Sequence, residues 1–276
     1  IHYLAATNGD SRKPYRVLEI GSNDGAFGEQ MISMIGKDRF LGIEPSKTMS
    51  EKAIAKGVPT TRAFFDPDIN KLALGKWDVI VANNVLAHVP SVKDVLEVAT
   101  SLLTPRGFLV MEVGHAADIV KGAFDVIYHE HTSYHALAPL RLALEDVDLP
   151  MFDVEVAKEE VGRGSLRVWA GRGKSPSNRM LDALEAEEKL QLDDPQTWTR
   201  ALGKSRGSHV VATAKRIKTY FNNWKLRVDG AVICGYGAPA KLTTLTYACD
   251  VPDVRAIAED SPWKIGRLTP GRQIPI

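Results

Sequence analysis

A chain of 276 residues is long for one hydrophobic core, so two domains, or one domain with an appendage, are expected. Its 35 Lys and Arg balance 34 Asp and Glu, leaving no positive excess for nucleic acid or an anionic membrane. No apolar run reaches the roughly eighteen residues of a membrane span and no signal-peptide pattern opens the chain, so it reads as soluble and cytoplasmic with neither kind of partner.

In chain order, residues 17–28 read V-L-E-I-G-S-N-D-G-A-F-G, an apolar strand that runs into a glycine-rich turn and a helix. Val17, Leu18 and Ile20 suit a strand buried on both faces, while Gly21 and Gly25 permit backbone shapes and close ligand approach that a Cβ would block. The next strand, F-L-G-I-E at residues 40–44, ends in Glu44, about twenty residues after the glycines and placed to accept both hydroxyls of a ribose. A dinucleotide pyrophosphate needs bare N–H groups at the helix start, yet this loop puts Asp24 there. S-adenosylmethionine has no phosphate but carries an ammonium and a sulfonium, which Glu19 and Asp24 would attract. The loop therefore favours the sulfonium cofactor, with Glu19, Gly21, Asn23, Asp24, Gly25 and Glu44 as its candidate contacts. An ordinary strand–turn–helix is the structural alternative.

Ser46 can cap a helix to about Lys56, and W-D-V-I-V-A-N-N from Trp77 is another buried strand whose end brings Asn83 and Asn84 near the cofactor. Ser91, with Asp94 three residues on, starts an amphipathic helix to Leu103 that Pro105 and Gly107 end, and F-L-V-M-E-V from Phe108 is the next strand. Alternation of this kind predicts a doubly wound, Rossmann-like parallel α/β sheet. Residues 152–156 and 165–170, joined across G-R-G, read as an antiparallel pair that closes it, so the first domain spans 1–171.

Residues 172–226 read as a helical connector, with leucines at helical spacing in 178–192 and a helical pattern with a basic face in 198–224. From Ala231, A-V-I-C-G-Y-G-A-P-A-K repeats the strand–glycine-turn–helix grammar, and V-R-A-I-A-E-D follows from Val254. Residues 227–276 thus form a second, incomplete Rossmann-like domain. Its G-x-G-x-x-A turn with Glu259 and Asp260 keeps a nicotinamide cofactor open, although Pro239 removes one donor N–H. Cys234 and Cys249 have no C-x-x-C spacing and read as reduced core residues. The start at Ile1 and the end at R-Q-I-P-I both look like cuts in a longer chain.

Five motifs carry a resemblance over nearly the whole chain: V-L-E-I-G-S-N-D-G, Y-H-E-H-T-S-Y at 128–134, G-R-G-S-L-R at 162–167, G-Y-G-A-P-A-K at 235–241 and R-L-T-P-G-R-Q-I-P at 267–275. Together they resemble the nucleotide-sugar C-methyltransferases, class I S-adenosylmethionine-dependent enzymes of deoxysugar biosynthesis. The resemblance implies methyl transfer to a ring carbon beside a ketone, on a sugar carried by a nucleoside diphosphate such as dTDP. Family members usually begin with a zinc domain built on paired C-x-x-C motifs, which this sequence lacks, so weak turnover is expected of residues 1–276 alone.

A sugar carbon becomes a nucleophile only as an enolate, so a base and a group that stabilises the enolate oxygen are needed. Tyr128, Glu130 and His131 match the family's Y-x-E-H and offer a phenol, an orienting carboxylate and an imidazole base. His129 departs from the acid usual there, and His88 falls where the family keeps a histidine, or is a capping or core residue. Gly235, Gly237, Lys241 and Arg267 are implied contacts to the substrate's nucleotide, unless the glycines only shape a packing turn. His115, His129, His131 and His135 raise a metal reading through the i, i+4 pair His131 and His135. Ser133 stands where H-E-x-x-H needs its second histidine, so no metal is expected. An O- or N-methyltransferase, and a non-catalytic binding fragment, remain as alternatives.

Overall fold

The computed structural model describes residues 15–123, 126–156, 164–203, 209–227, 232–248 and 254–276. Cys249 and most of the G-R-G link lie outside them. The chain divides into two compact units, Ile1–Gly114 with Leu137–Glu185, and His115–Ala136 with Ala186–Ile276.

The first unit is built on a seven-stranded sheet in the order β3-β2-β1-β4-β5-β7-β6. Its strands are β1 (Val17–Ile20), β2 (Phe40–Ile43), β3 (Thr60–Thr61), β4 (Trp77–Asn83), β5 (Leu103–Gly114), β6 (Met151–Val156) and β7 (Ser165–Gly171). β1 lies centrally, Val17 pairing with Phe40 on one side and Val79 on the other, and all pairs up to β5 are parallel. β7 runs antiparallel to both β5 and β6, as the alternating pattern of these segments predicts. This is the doubly wound, Rossmann-like α/β sheet that the alternation of strands and helices predicts.

Helices cover both faces of the sheet because each strand sends alternate side chains to opposite sides. Leu18, Ile20, Ile80 and Met111 join a core with Leu96 and Leu102, whereas Val17, Val79 and Phe108 join another with Met31, Phe40 and Phe152. The helices are α1 (Ala26–Ile35), α2 (Lys47–Ala55) and α3 (Val92–Leu102). Ser46 and Ser91 cap the last two, each hydroxyl accepting a backbone N–H three residues on, from Met49 and Asp94. Two further helices, α4 (Ala117–Val120) and α5 (Leu137–Asp146), were not evident from the sequence pattern. Strand β5 begins at Leu103, so Pro105 and Gly107 lie inside it rather than before it. The pairing with β4 shifts register there, which accommodates a residue without an N–H.

The helical pattern at 198–224 resolves into more than one helix. After α6 (Asn178–Glu188), Asp194 accepts the N–H of Gln196 and Pro195 opens α7 (Pro195–Leu202), which stops at Gly203; α8 (His209–Arg227) follows. Pro at the first turn and Gly past the last punctuate the run more strongly than its apolar spacing joins it. In the second unit β8 (Ile233–Tyr236) pairs in parallel with β9 (Val254–Ala258), and α9 (Lys241–Ala248) lies between them in sequence. Among the described residues no helix is long and apolar enough to cross a membrane.

Gly28 lets α1 lie close to its neighbours: a Cβ there would sit 2.6 Å from Val58 Cγ1 and 2.7 Å from Phe40 Cε1. Both side chains are at most 3% exposed and cannot swing away. Gly→Ala in a helix ordinarily stabilises by about 1 kcal/mol. Here Gly28→Ala is expected to destabilise by about 1–3 kcal/mol in a denaturant melt, and an increase in stability would refute the close approach.

Candidate functional site

The turn after β1 is held by backbone geometry that only certain residues adopt without strain. Gly21, Asn23 and Gly25 have φ of 66°, 48° and 82°. The N–H groups of Gly21 and Ser22 both donate to the carbonyl of Ile43, at 2.8 and 3.1 Å, tying the turn to the end of β2. A Cβ on Gly21 would come within 2.8 Å of Val85 Cγ2, so the glycine is required for space as well as conformation. Glu44 completes the arrangement: Oε2 accepts the N–H of Asn23 and Oε1 the N–H of Ser46, each at 2.8 Å. A carboxylate has about four acceptor sites, so both oxygens keep capacity for further donors such as ribose hydroxyls.

These elements surround a cavity of about 950 Å³ at the carboxyl ends of β1, β2 and β4, where open α/β sheets bind ligands. Its walls carry five acids, Glu19, Asp24, Glu44, Asp66 and Asp94, together with His88, and no Lys or Arg among the described residues. Asp24 is compensated by Lys56, whose ammonium lies 2.8 Å from Oδ2 and holds that carboxyl below its usual range. Glu19 is not compensated. It is 4% exposed, and its Oε2 has no hydrogen-bond partner among the described residues. Burial, reinforced by the charge of Glu44, raises it from 4.5 to about 8. A cavity of this sign, with an orphaned carboxylate oxygen in its wall, fits a ligand that carries positive charge and a ribose.

Glu19, Gly21, Asn23, Asp24, Glu44, Asn83 and His88 all line this cavity, while Gly25 sits in the turn beneath it. His88 ends a helical turn, Leu86–His88, just past β4. Phe64, Phe65 and Asp66 also line the cavity and were missed. Their only sequence signal was an aromatic pair before an acid, after a strand of two residues that is too short to show a period.

In the second unit, the Tyr128 hydroxyl and His131 Nε2 are 2.8 Å apart, with ring centroids at 4.1 Å. The Tyr134 ring stands edge-on to His131 at 5.9 Å. Partial burial, with Glu130 and Tyr134 nearby, raises the Tyr128 phenol above its usual range, so it stays protonated at neutral pH. Glu130 lies 3.8 Å from His129 Nε2. The segment is anchored by Thr244 of α9, whose hydroxyl donates to the carbonyl of Ile127 at 2.6 Å. Residues 131–134 are not helical, so His131 and His135 do not form the chelating pair that a helix would make. No group of three or more His, Cys, Asp or Glu that could hold a metal occurs among the described residues. His115 instead pairs with Glu187 at 2.8 Å, both largely buried.

The turn after β8 places Gly237 at φ 82°, its N–H donating to Ala258 at 2.7 Å, and Lys241 begins α9. Glu259 accepts the N–H groups of Ala238 and Ser261 at 2.7 and 3.0 Å, which hold it below its usual range, with Lys264 Nζ 3.5 Å from Oε2. A Cβ on Gly235 would meet Ile257 Cγ1 at 3.3 Å, a packing constraint from the neighbouring strand. Arg267 is exposed in the C-terminal segment, where its carbonyl accepts the N–H of Ile276 at 2.9 Å.

Comparison with known proteins agrees with this geometry. Residues 18–109 match the family model of a methyltransferase domain, and residues 161–276 that of the C-methyltransferase C-terminal domain. The whole chain is 28% identical to the C-methyltransferase NovU of Streptomyces niveus and spans 64% of that protein's length. Among solved structures, the plantazolicin methyltransferase BamL in complex with a triazolic desmethylPZN analog and SAH aligns with TM-score 0.52 at 12% identity, over 61% of this chain and 80% of its own. A chain from the complex of the Haloferax volcanii Trm112 methyltransferase activator with a putative methyltransferase aligns with TM-score 0.51 at 15% identity, over 64% of this chain and 87% of its own. At these identities the two structures show the fold alone. The methyltransferase domain assigns S-adenosylmethionine as the cofactor.

Two outcomes are expected. Glu44→Ala should weaken S-adenosylmethionine binding by about 1–3 kcal/mol in calorimetry, the range for a charge-assisted hydrogen bond, and unchanged affinity would remove Glu44 from the ribose. Glu19 holds its proton up to about pH 8 in the fold but releases it near 4.5 when unfolded. Unfolding therefore releases a proton across that window, and stability falls as pH rises through it. Glu19→Gln should flatten this slope in ligand-free thermal melts, so that the variant gains on the wild type between about pH 5 and about pH 8. A difference in Tm that does not change with pH would refute the assignment.

Proposed function

We propose that this chain, a member of the S-adenosylmethionine-dependent methyltransferases with a C-methyltransferase C-terminal domain, methylates a carbon beside the ketone of a deoxysugar linked to a nucleoside diphosphate. S-adenosylmethionine supplies an electrophilic methyl group. Glu44 and Asn23 would hold its ribose end, and Glu19 would face its positive charge. The unit that carries Tyr128 and His131 also carries the Gly235–Gly237 turn with Lys241, and Arg267, which are the candidate contacts to the substrate's nucleotide and diphosphate.

What supports carbon rather than oxygen or nitrogen as the acceptor is the Tyr128–His131 pair, because an imidazole beside a protonated phenol suits proton abstraction next to a carbonyl. His131 Nε2 takes the proton, the C–H electron pair moves into the enolate, and charge collects on the carbonyl oxygen. To receive that proton Nε2 must part from Tyr128. The freed phenol O–H can then donate to the enolate oxygen, so the protein exchanges its internal Tyr128–His131 hydrogen bond for one to the substrate. The resemblance of 128–134 and 235–241 to the nucleotide-sugar C-methyltransferases supports the substrate class.

In the full-length protein, a dTDP-linked keto-deoxysugar should exchange its carbon-bound hydrogen with deuterium from solvent when S-adenosylhomocysteine replaces the methyl donor. His131→Asn should slow exchange and methylation together by about a hundred- to ten-thousand-fold while cofactor affinity holds. Tyr128→Phe should slow both by about a hundred- to a thousand-fold. Mass spectrometry follows the label. Exchange that survives His131→Asn within tenfold would remove the histidine from the role, and methylation without any carbon exchange would indicate an oxygen or nitrogen acceptor.

A further inference from the structure

Each acid of the cavity but one has a structural reason to be charged or a partner that tolerates it. Glu44 accepts two backbone N–H groups, Asp24 faces Lys56, Asp66 caps its own turn by accepting the N–H of Asp68 at 3.0 Å, and Asp94 stands in the first turn of α3, where the helix dipole favours an anion. Glu19 differs. Its side chain is almost fully buried and Oε2 has no hydrogen-bond partner among the described residues. The charged or titratable groups that share the cavity with it are Glu44 at the end of β2, Asp24 in the loop, Asp66 after β3, and His88 and Asp94 beyond β4. No Lys or Arg is among them. A carboxyl in low-dielectric surroundings beside like-charged neighbours is most stable neutral, and it ionises when a cation is placed beside it.

We propose that Glu19 trades its proton for the cofactor's positive charge: it stands protonated in the ligand-free cavity and gives the proton to solvent as S-adenosylmethionine enters. The O–H bond breaks, its electron pair stays on the carboxylate, and the proton goes to the buffer. The cavity gains one negative charge as it receives a ligand whose net charge is one positive, so no unbalanced charge is buried. This rests on the reading of the cavity as the cofactor site. It makes recognition selective for charge as well as shape, since a neutral nucleoside thioether of similar outline offers nothing for which the proton would leave.

The test is isothermal calorimetry at about pH 7 in buffers of different ionisation enthalpy, which counts the protons released on binding. With S-adenosylmethionine the wild type should release about one proton more than Glu19→Gln, the ligand's own amine contributing alike to both. Wild-type affinity should rise roughly tenfold between about pH 6 and about pH 7 relative to the variant. Binding of neutral 5′-methylthioadenosine should release none through Glu19. Equal proton counts in wild type and variant, or equal release with the thioether, would overturn the proposal while leaving the cofactor site standing. Failure of S-adenosylmethionine to bind the wild type at any pH would overturn both. If the variant does not fold, infrared difference spectra of the wild type decide: a protonated-carboxyl band should disappear on adding S-adenosylmethionine, and its persistence would refute the exchange.

Discussion

The first unit depends on a single carboxylate. Glu44 reaches back from the end of β2 to the N–H of Asn23 and forward to that of Ser46, so one side chain fixes the loop before α1 and the start of α2 at once. Such bonds from backbone N–H to an ionised acceptor are among the stronger ones, and here they are made before any ligand arrives. Asn23 would otherwise have little reason to hold a φ of 48°, and the turn that leads into the cavity would lose its shape. The loop is thus organised in advance, which spares the cofactor the cost of ordering it.

The same end of the sheet carries the unit's main electrostatic burden. Five acids converge on one cavity, and among the described residues only Asp24 of these has a lysine at hydrogen-bond distance. Crowding acids at one site is unfavourable for the ligand-free fold, and sites with this kind of built-in cost are where ligands find their binding energy. The sheet beneath can bear it because its two hydrophobic layers are continuous, from Leu18 and Ile80 on one side to Val17 and Phe108 on the other.

Much of this was legible in the sequence. Strands buried on both faces announce themselves as apolar runs, and Ser46, Ser91 and Glu44 stand at positions whose chemistry is local. What was hidden depended on distance or on brevity. Lys56 neutralises Asp24 from 32 residues away, a pairing no motif encodes. The two residues of β3 could not display a period, so the cavity wall of Phe64, Phe65 and Asp66 passed unseen. Helix α5 contains Pro139 in its first turn, where proline is tolerated, yet in the sequence it reads as a breaker. Proton retention by Glu19 follows from burial, which a sequence shows only once the fold is known.

The arrangement around Glu44 occurs a second time. Glu259 follows β9 as Glu44 follows β2, and it accepts N–H groups from Ala238 and Ser261 at the same sequence offsets, 21 residues back and 2 ahead. The two copies differ in their counter-ion. Lys264 approaches Glu259 and also donates to the Ala238 carbonyl at 3.0 Å, so this carboxylate comes with its own cation built in. One stapled turn is therefore electrically open and the other closed. A carboxylate that already has an ammonium beside it has less to offer a second cation, so the same turn, written twice, attracts positive charge more strongly where the lysine is missing.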